Sequence, residues 1–310
     1  MLDLLSRKIM LGVAKNQFIR KIVTKYGMAS ENGFARRFIA GETLEEAISA
    51  IKELNKKGIT ATLDLLGESV FDKEGAEKAR DVIINMFDVI ESSGVNSAVS
   101  VKLTQLGLDI SEKLCKDNMK MILEHAAKYD NFVRIDMESS EYTEKTLNVF
   151  KYLYRNVGKN VGIVLQSYLY RTETDVRALN KLGATVRLCK GAYLEPEIVA
   201  FQKKKLVDDN YVRCLELLLL EGHMPAIASH DEDIIIKARE IAEKNEISPD
   251  KFEFEMLYGI RRDLQEQLVK DGYRMRAYIP FGTEWFPYFS RRLGERMSNV
   301  LFILKSMTRE

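Results

Sequence analysis

Near its C-terminal end the chain reads Y-I-P-F-G-T-E-W-F-P-Y-F-S-R-R-L-G-E, Tyr278 to Glu295. Pro280 and Gly282 interrupt a strand-like stretch, and Pro287 is compatible with a helix only in its first turn, so a helix is predicted to begin near Thr283. On that helix Tyr288, Arg291, Arg292 and Glu295 fall at i, i+3, i+4 and i+7 and share one face. The plain explanation of the spacing is a solvated helix with Arg291 paired to Glu295. Trp285, Phe286, Tyr288 and Phe289 crowd the same two turns, however, which favours a packed helix whose guanidiniums border a pocket. Planar guanidinium forks engage both oxygens of a carboxylate at once, so the chemistry expected here is capture of a small anionic substrate.

A second group of polar residues sits in or just after short β-rich runs. Glu68 closes T-L-D-L-L-G-E, Lys102 lies in S-V-K-L, and Asp136 in R-I-D-M-E. Gln166 ends a fourth run, R-L-C-K-G-A-Y carries Arg187 and Lys190, Ser229 and His230 stand in A-S-H-D, and Tyr278 ends the last run. Each has a mundane alternative: a structural Lys102–Asp136 ion pair, a helix cap at His230, arginine neutralisation by Glu68, a loop-surface position for Lys190. An ionisable side chain inside a buried parallel strand is costly unless paired or functional, and so many at successive strand ends favour a site. The seventh run ends in Leu257 and Tyr258 and is read as an apolar contribution. The expected pocket has Lys102, Arg187, Arg291 and Arg292 as cations, Asp136 and Glu68 as counter-charges, and Tyr193, Leu257, Tyr278 and Tyr288 as walls. That suits a small apolar carboxylate beside an electron-rich cofactor.

Other chemistries find no support. The three histidines are far apart, without H-x-x-x-H or H-E-x-x-H spacing, so no metal site is signalled. No G-x-S-x-G elbow occurs. Cys115, Cys189 and Cys214 are an odd set without C-x-x-C spacing, which argues against a disulfide framework and for a reducing cytoplasm; Cys189 is read as core volume. With 47 basic against 46 acidic residues there is no bulk field to attract nucleic acid. No run approaches the ~18 consecutive apolar residues of a membrane span.

The elements that must position these groups follow from periodicity. Strands are predicted at 59–66, 97–103, 132–137, 162–166, 185–189, 225–229, 252–257 and 273–279. Helices are predicted to begin near Lys73, Ser111, Thr143, Arg171, Glu195, Asp231, Arg261 and Thr283, and Gly41-Glu42-Thr43 offers a cap for an earlier helix from Leu44 to Lys56. Eight βα units in ~250 residues match a closed (β/α)8 TIM-type barrel, whose catalytic groups come from the C-terminal strand ends. The predicted partition is an N-terminal helical arm, residues 1–58, and the barrel, residues 59–310. The arm is amphipathic and basic, with Lys8, Lys15, Arg20, Lys21 and Lys25. It is read as covering the barrel, with peripheral docking on a membrane as the alternative.

The closing motif, the R-L-C-K-G-A-Y signature and the ordered series L-L-G-E, S-V-K-L, R-I-D-M-E and A-S-H-D together resemble the monofunctional bacterial proline dehydrogenases, over nearly the whole chain. Leu194 stands where some relatives carry a tryptophan. The resemblance implies noncovalent FAD at the barrel mouth and oxidation of L-proline to 1-pyrroline-5-carboxylate, the first step of proline catabolism, with hydride transfer to flavin N5. It implies a quinone as electron acceptor and hand-over of product to 1-pyrroline-5-carboxylate dehydrogenase. Arg291, Arg292 and Lys102 would hold the substrate carboxylate, and Leu257, Tyr278 and Tyr288 would enclose the ring. Asp136 and Arg187 would be catalytic, Arg187 beside flavin N5. The other FAD contacts would be Met137, Gln166, Lys190, Gly191, Ala192, Tyr193, Ser229 and His230, with Glu68 and Glu295 in supporting ion pairs. The alternatives are oxidation of hydroxyproline or another secondary amine, which the bulk of Tyr278 disfavours for hydroxyproline; a barrel lyase with Lys102 or Lys190 as a Schiff-base amine; and a non-enzymatic sensor docked by its basic arm.

Overall fold

A computed structural model of the chain describes residues 34–67 and 70–294, residues 291–294 by their backbone alone. After a short 3-10 turn at Phe34–Arg37, the helices are α1 (Leu44–Asn55), α2 (Lys73–Ser93), α3 (Glu112–Ala127), α4 (Ser140–Asn156), α5 (Thr172–Leu182), α6 (Lys204–Glu221), α7 (Glu232–Lys244), α8 (Arg262–Lys270) and α9 (Trp285–Gly294). The strands are β1 (Thr60–Leu65), β2 (Ser97–Val101), β3 (Val133–Ile135), β4 (Val161–Gln166), β5 (Val186–Cys189), β6 (Ala226–Ala228), β7 (Glu253–Leu257) and β8 (Arg274–Phe281). All neighbours pair in parallel, and β8 closes on β1 with Thr60 opposite Arg276 and Leu65 opposite Phe281. The predicted TIM-type barrel is the fold observed.

Local chemistry sets most element ends. Thr43 and Glu46 form the capping box of α1, Asp72 accepts from the Gly75 amide at the start of α2, and Ser111 does the same for α3 through Leu114. Two boundaries differ from expectation. Instead of starting near Thr143, α4 starts at Ser140, and instead of starting at Glu195, α6 starts at Lys204. One interaction explains both, because Glu195 accepts the Ser140 amide at 2.7 Å and bonds the Ser140 hydroxyl, capping α4 from the distant β5–α6 loop.

Strand alternation separates two environments. Val99, Ile135, Ile163, Leu188, Phe254 and Ile279 are buried in one apolar core with helical residues such as Phe87, Ile122, Phe150, Leu179 and Leu215. The opposite strand faces carry Arg134, Arg187, Glu253 and Glu255, all buried. Barrel interiors are ordinarily filled by branched apolar side chains, so this charged filling demands pairing.

A smaller cluster joins the approach to α1 with the end of the described chain. Ala35, Phe38, Ile39 and Leu66 pack with Trp285, Phe286, Tyr288 and Phe289, and Tyr278 and Ile260 lie against them. The seam is pinned by Ala40 N donating to Pro280 O and Gly282 N donating to Gly41 O, each at 3.0 Å, and by the Trp285 indole donating to Glu42 at 2.9 Å. Gly259 permits the approach: its φ is +74°, and a Cβ there would fall 1.6 Å from the Arg37 carbonyl oxygen. Gly94 also has positive φ (+64°) but open space around it. We therefore expect Gly94→Ala to cost about 1 kcal/mol from backbone conformation alone. Gly259→Ala should cost about 3 kcal/mol or more, because backbone must also move; equal denaturant midpoints for the two variants would contradict this account.

Candidate active site

Asp136, at the C-terminal end of β3, is the point where several strands meet. Its Oδ1 accepts from Arg187 Nη1 of β5 at 3.0 Å and from the Ser100 hydroxyl of β2 at 3.2 Å, and its Oδ2 accepts from the Tyr278 hydroxyl of β8 at 2.6 Å. Arg187 Nη1 also donates to Ser100 Oγ at 3.2 Å, and its Nε forms an ion pair with Glu255 of β7. The Arg187 guanidinium lies 5.4 Å from the Tyr278 ring centroid. Groups from non-neighbouring strands can meet in this way only inside the barrel.

Lys102 modifies the expected pairing. Its ammonium donates to both Asp64 oxygens, at 2.7 and 3.0 Å, and stands 3.8 Å from Asp136 Oδ2. The Lys102–Asp136 pair, the mundane alternative from the sequence, is the weaker contact, and Asp64 of β1, unremarked in the sequence, is the main partner. Burial pushes the Asp64 carboxyl up, as does the neighbouring Asp136, against the pull of Lys102. Burial also raises the Tyr278 phenol well above its usual value, reinforced by Asp136. For Arg187 burial alone would lower the pKa, but Glu255 and Asp136 outweigh it and the group is raised: it stays a cation.

Farther along the strand ends, Gln166 donates through Nε2 to the Met137 carbonyl at 3.3 Å, while its Oε1 is buried with no hydrogen-bond partner among the described residues. The same holds for Arg187 Nη2. Gly191 has φ +109° and lies so close to Tyr168 that a Cβ would come within 2.5 Å of its ring; Ala192 and Tyr193 follow it, half-buried. Lys190 is not a simple surface residue of the loop, since its ammonium is paired with Asp208 at 2.5 Å and Asp231 at 2.6 Å. His230 does not cap α7; Asp231 does, accepting from Asp233 N and receiving support from the Ser229 hydroxyl, which accepts the Asp231 amide at 3.1 Å. His230 Nε2 instead accepts the Leu257 amide at 2.8 Å, which makes it a neutral ring with its proton on Nδ1 at that contact.

The family model described as proline dehydrogenase matches residues 47–305. The chain belongs to the proline dehydrogenase family. It is 42% identical over 307 residues to proline dehydrogenase 2 of Bacillus subtilis, covering 99% of this chain and all of that one. It is 39% identical to proline dehydrogenase of Deinococcus radiodurans over 311 residues, 99% of each chain. Its fold matches the crystal structure of proline utilization A from Bdellovibrio bacteriovorus inactivated by N-propargylglycine, with a TM-score of 0.80 and 27% identity, covering 92% of this chain and 38% of that longer one.

Within this proline dehydrogenase family member, Lys102, Asp136, Arg187 and Tyr278 form one connected network, and Tyr288 lies in the cluster that packs on Tyr278. Leu257 stands opposite Tyr278 in the β7–β8 pairing. Glu68 and Glu295 lie outside the described residues, as does the arm up to residue 33, and of Arg291 and Arg292 only the backbone, in α9, is described. The seventh strand is not purely apolar, for Glu253 and Glu255 bring buried carboxylates to the interior. Glu253 accepts from Arg276 Nε at 3.0 Å, and Arg134, lowered to about 10 mainly by burial and then by Arg187, donates to the Thr185 carbonyl at 2.9 Å. Among the described residues no group of His, Cys, Asp and Glu could hold a metal ion, and no helix is long and apolar enough to cross a membrane.

Two outcomes follow from the pairing. Lys102→Met should cost about 3–5 kcal/mol by leaving buried Asp64 without its cation, and Lys102→Met combined with Asp64→Asn should recover part of that in urea unfolding. Burial opposes ionisation of Asp231, yet Lys190 and Lys204 hold its carboxyl down to about 2. Its folded value is depressed, so its contribution of about 2 kcal/mol is present above pH ~4 and lost as pH falls toward 2. Asp231→Asn should flatten that part of the stability profile; an unchanged acid limb would contradict the assignment.

Proposed function

We propose that this chain is an FAD-dependent proline dehydrogenase that oxidises L-proline to 1-pyrroline-5-carboxylate, the first step of proline catabolism. The observation that carries the reading is the Asp136 node, which gathers Arg187, Tyr278 and, at longer range, Lys102 into one buried, charge-paired end of the barrel. A small carboxylate entering there meets donors already held in place, so little ordering cost remains at binding.

In this reading Lys102, with Arg291 and Arg292 of α9, holds the proline carboxylate, while Leu257, Tyr278 and Tyr288 close around the ring. The residues fit a flavin: Gln166 Oε1 is a buried acceptor and Arg187 Nη2 a buried donor, both without hydrogen-bond partners among the described residues, and a flavin ring edge offers both kinds of complement. Met137, Gln166, Lys190, Gly191, Ala192, Tyr193, Ser229 and His230 would hold FAD, with the backbone at Gly191 free of a Cβ that would clash with Tyr168. Bound FAD would supply the hydride acceptor, at N5, with a quinone as the final acceptor of the electrons. Oxidation removes a hydride from the ring methylene next to nitrogen and a proton from the amine as the C=N bond forms. The protein must therefore accommodate a neutral secondary amine and favour electron flow toward the cofactor. Arg187, a buried cation, stabilises the negative charge that accumulates there, and Asp136 holds Arg187 in place. Glu68 and Glu295, outside the described residues, are assigned supporting roles. We assign the barrel to residues 59–310 and a helical arm to residues 1–58, with hand-over of product to 1-pyrroline-5-carboxylate dehydrogenase.

The lyase alternative needs an unencumbered amine, whereas Lys102 is clasped by Asp64 and Lys190 by Asp208 and Asp231. The deciding test is the visible spectrum of the purified protein before and after anaerobic L-proline. A flavin spectrum that bleaches is expected; a flavin that stays oxidised would redirect the search to other secondary amines, and a colourless protein that FAD does not reconstitute would overturn the reading. Arg291→Met or Arg292→Met should raise KM for proline by the equivalent of about 2–4 kcal/mol of lost binding. Unchanged KM in both would remove the carboxylate trap.

A further inference from the structure

Glu255 is a buried carboxylate that the reaction as described does not use. It sits in the middle of β7, 3% exposed, opposite Arg276 on β8 and Ala228 on β6. Of the cations inside the barrel it contacts Arg187, through Nε, on the side of the guanidinium away from Asp136 and Ser100, which take Nη1. The guanidinium is thus held by carboxylates from two strands, through a hydrogen bond at Nη1 to Asp136 and an ion pair at Nε to Glu255, while Nη2 has neither an ion pair nor a hydrogen-bond partner among the described residues. A planar fork gripped at Nε and Nη1 has no freedom to rotate about its long axis, so the direction of Nη2 is fixed by Glu255 together with Asp136.

We propose that Glu255 is a positioning residue for Arg187, fixing where its remaining N–H points and how much positive charge it presents to a flavin at the barrel mouth. This rests on the assignment of Arg187 to the flavin made above. Two carboxylates partly neutralise Arg187 in a medium where charges are weakly screened, so removing one leaves more of its field to act on whatever lies against Nη2. Arg134 and Arg276 belong to the same buried charge system, but Arg276 is matched by Glu253 at 3.0 Å and Arg134 by the Thr185 carbonyl. Neither substitutes for Glu255 at Arg187.

The test uses flavin-loaded enzyme and the midpoint potential of its bound flavin, measured by equilibrium reduction against a reference dye, together with proline kinetics. Arg187→Met is the reference: loss of the cation should lower the potential. Glu255→Gln keeps the shape and an acceptor oxygen but not the charge, and should move the potential the other way, upward, with KM for proline within roughly twofold of the parent and the change confined to kcat. If Arg187→Met leaves the potential unmoved, the placement of Arg187 at the flavin is wrong. If Arg187→Met shifts it and Glu255→Gln does not, changing only the melting temperature, then Glu255 is a structural group and the proposal falls. Should Glu255→Gln alone not fold, Arg187→Met is compared with Arg187→Met/Glu255→Gln, in which both buried charges are gone. Action through Arg187 requires equal potentials in that pair, and a further shift overturns it.

Discussion

Everything at the mouth of this barrel depends on burying opposite charges next to one another. An isolated ion inside a protein costs several kcal/mol, and a pair breaks even only when geometry and additional hydrogen bonds are good. The barrel meets that condition by placing the partners on different strands. Asp136 on β3 faces Arg187 on β5, Lys102 after β2 faces Asp64 on β1, and Arg276 on β8 faces Glu253 on β7. Closing the sheet and neutralising the charges are then the same event. Strand register is specified twice, once by the apolar outer faces and once by the ion pairs within.

That arrangement leaves the interior poor in apolar filling, and the fold compensates outside the barrel. The layer between strands and helices is one continuous apolar cluster, from Phe87 on α2 to Leu215 on α6. A second cluster, from Ala35 to Phe289, bridges the turn before α1 and the last described helix. Because α9 carries Arg291 and Arg292 on its backbone, the placement of any substrate-binding face there depends on contacts made by residues 34–42, including the close passage of Arg37 over Gly259.

Most of this was legible where a physical cost made a residue stand out. Lys102, Asp136 and Arg187 were conspicuous because charges do not belong in buried parallel strands without reason. The alternation of βα units specified the barrel. Asp64 was missed although T-L-D-L-L carries the same anomaly, because the terminal Glu68 drew the reading toward the strand's end. Glu255 had a signal as well: in E-F-E-M-L the period of two puts Glu253, Glu255 and Leu257 on one face, so the inward side of β7 could have been read as acidic. Other contacts had no local signal. The capping of α4 by Glu195, 55 residues away, and the acceptance of the Leu257 amide by His230 across 27 residues, exist only once the loops have been brought together. They displaced the predicted starts of α4 and α6 and the helix-cap alternative for His230.

Tyr278 is where the two halves of the design touch. Its hydroxyl donates to Asp136 at 2.6 Å, its ring lies under the Arg187 guanidinium, and its flank packs on the cluster that holds α9. Its phenol is held protonated by burial and by Asp136, so it remains a donor over the whole physiological range. An apolar residue here would fill the same volume but leave Asp136 with one fewer donor in a site where each lost hydrogen bond to a buried carboxylate costs about 1.5–3 kcal/mol. The phenol joins packing and charge in one side chain: the apolar cluster sets where its ring lies, and the ring's position sets which oxygen of Asp136 is taken. Arg187 then takes the other oxygen, Oδ1, while Lys102 stands 3.8 Å from the oxygen that the phenol holds, so the electrostatics of the site are inherited from how the last helix is packed.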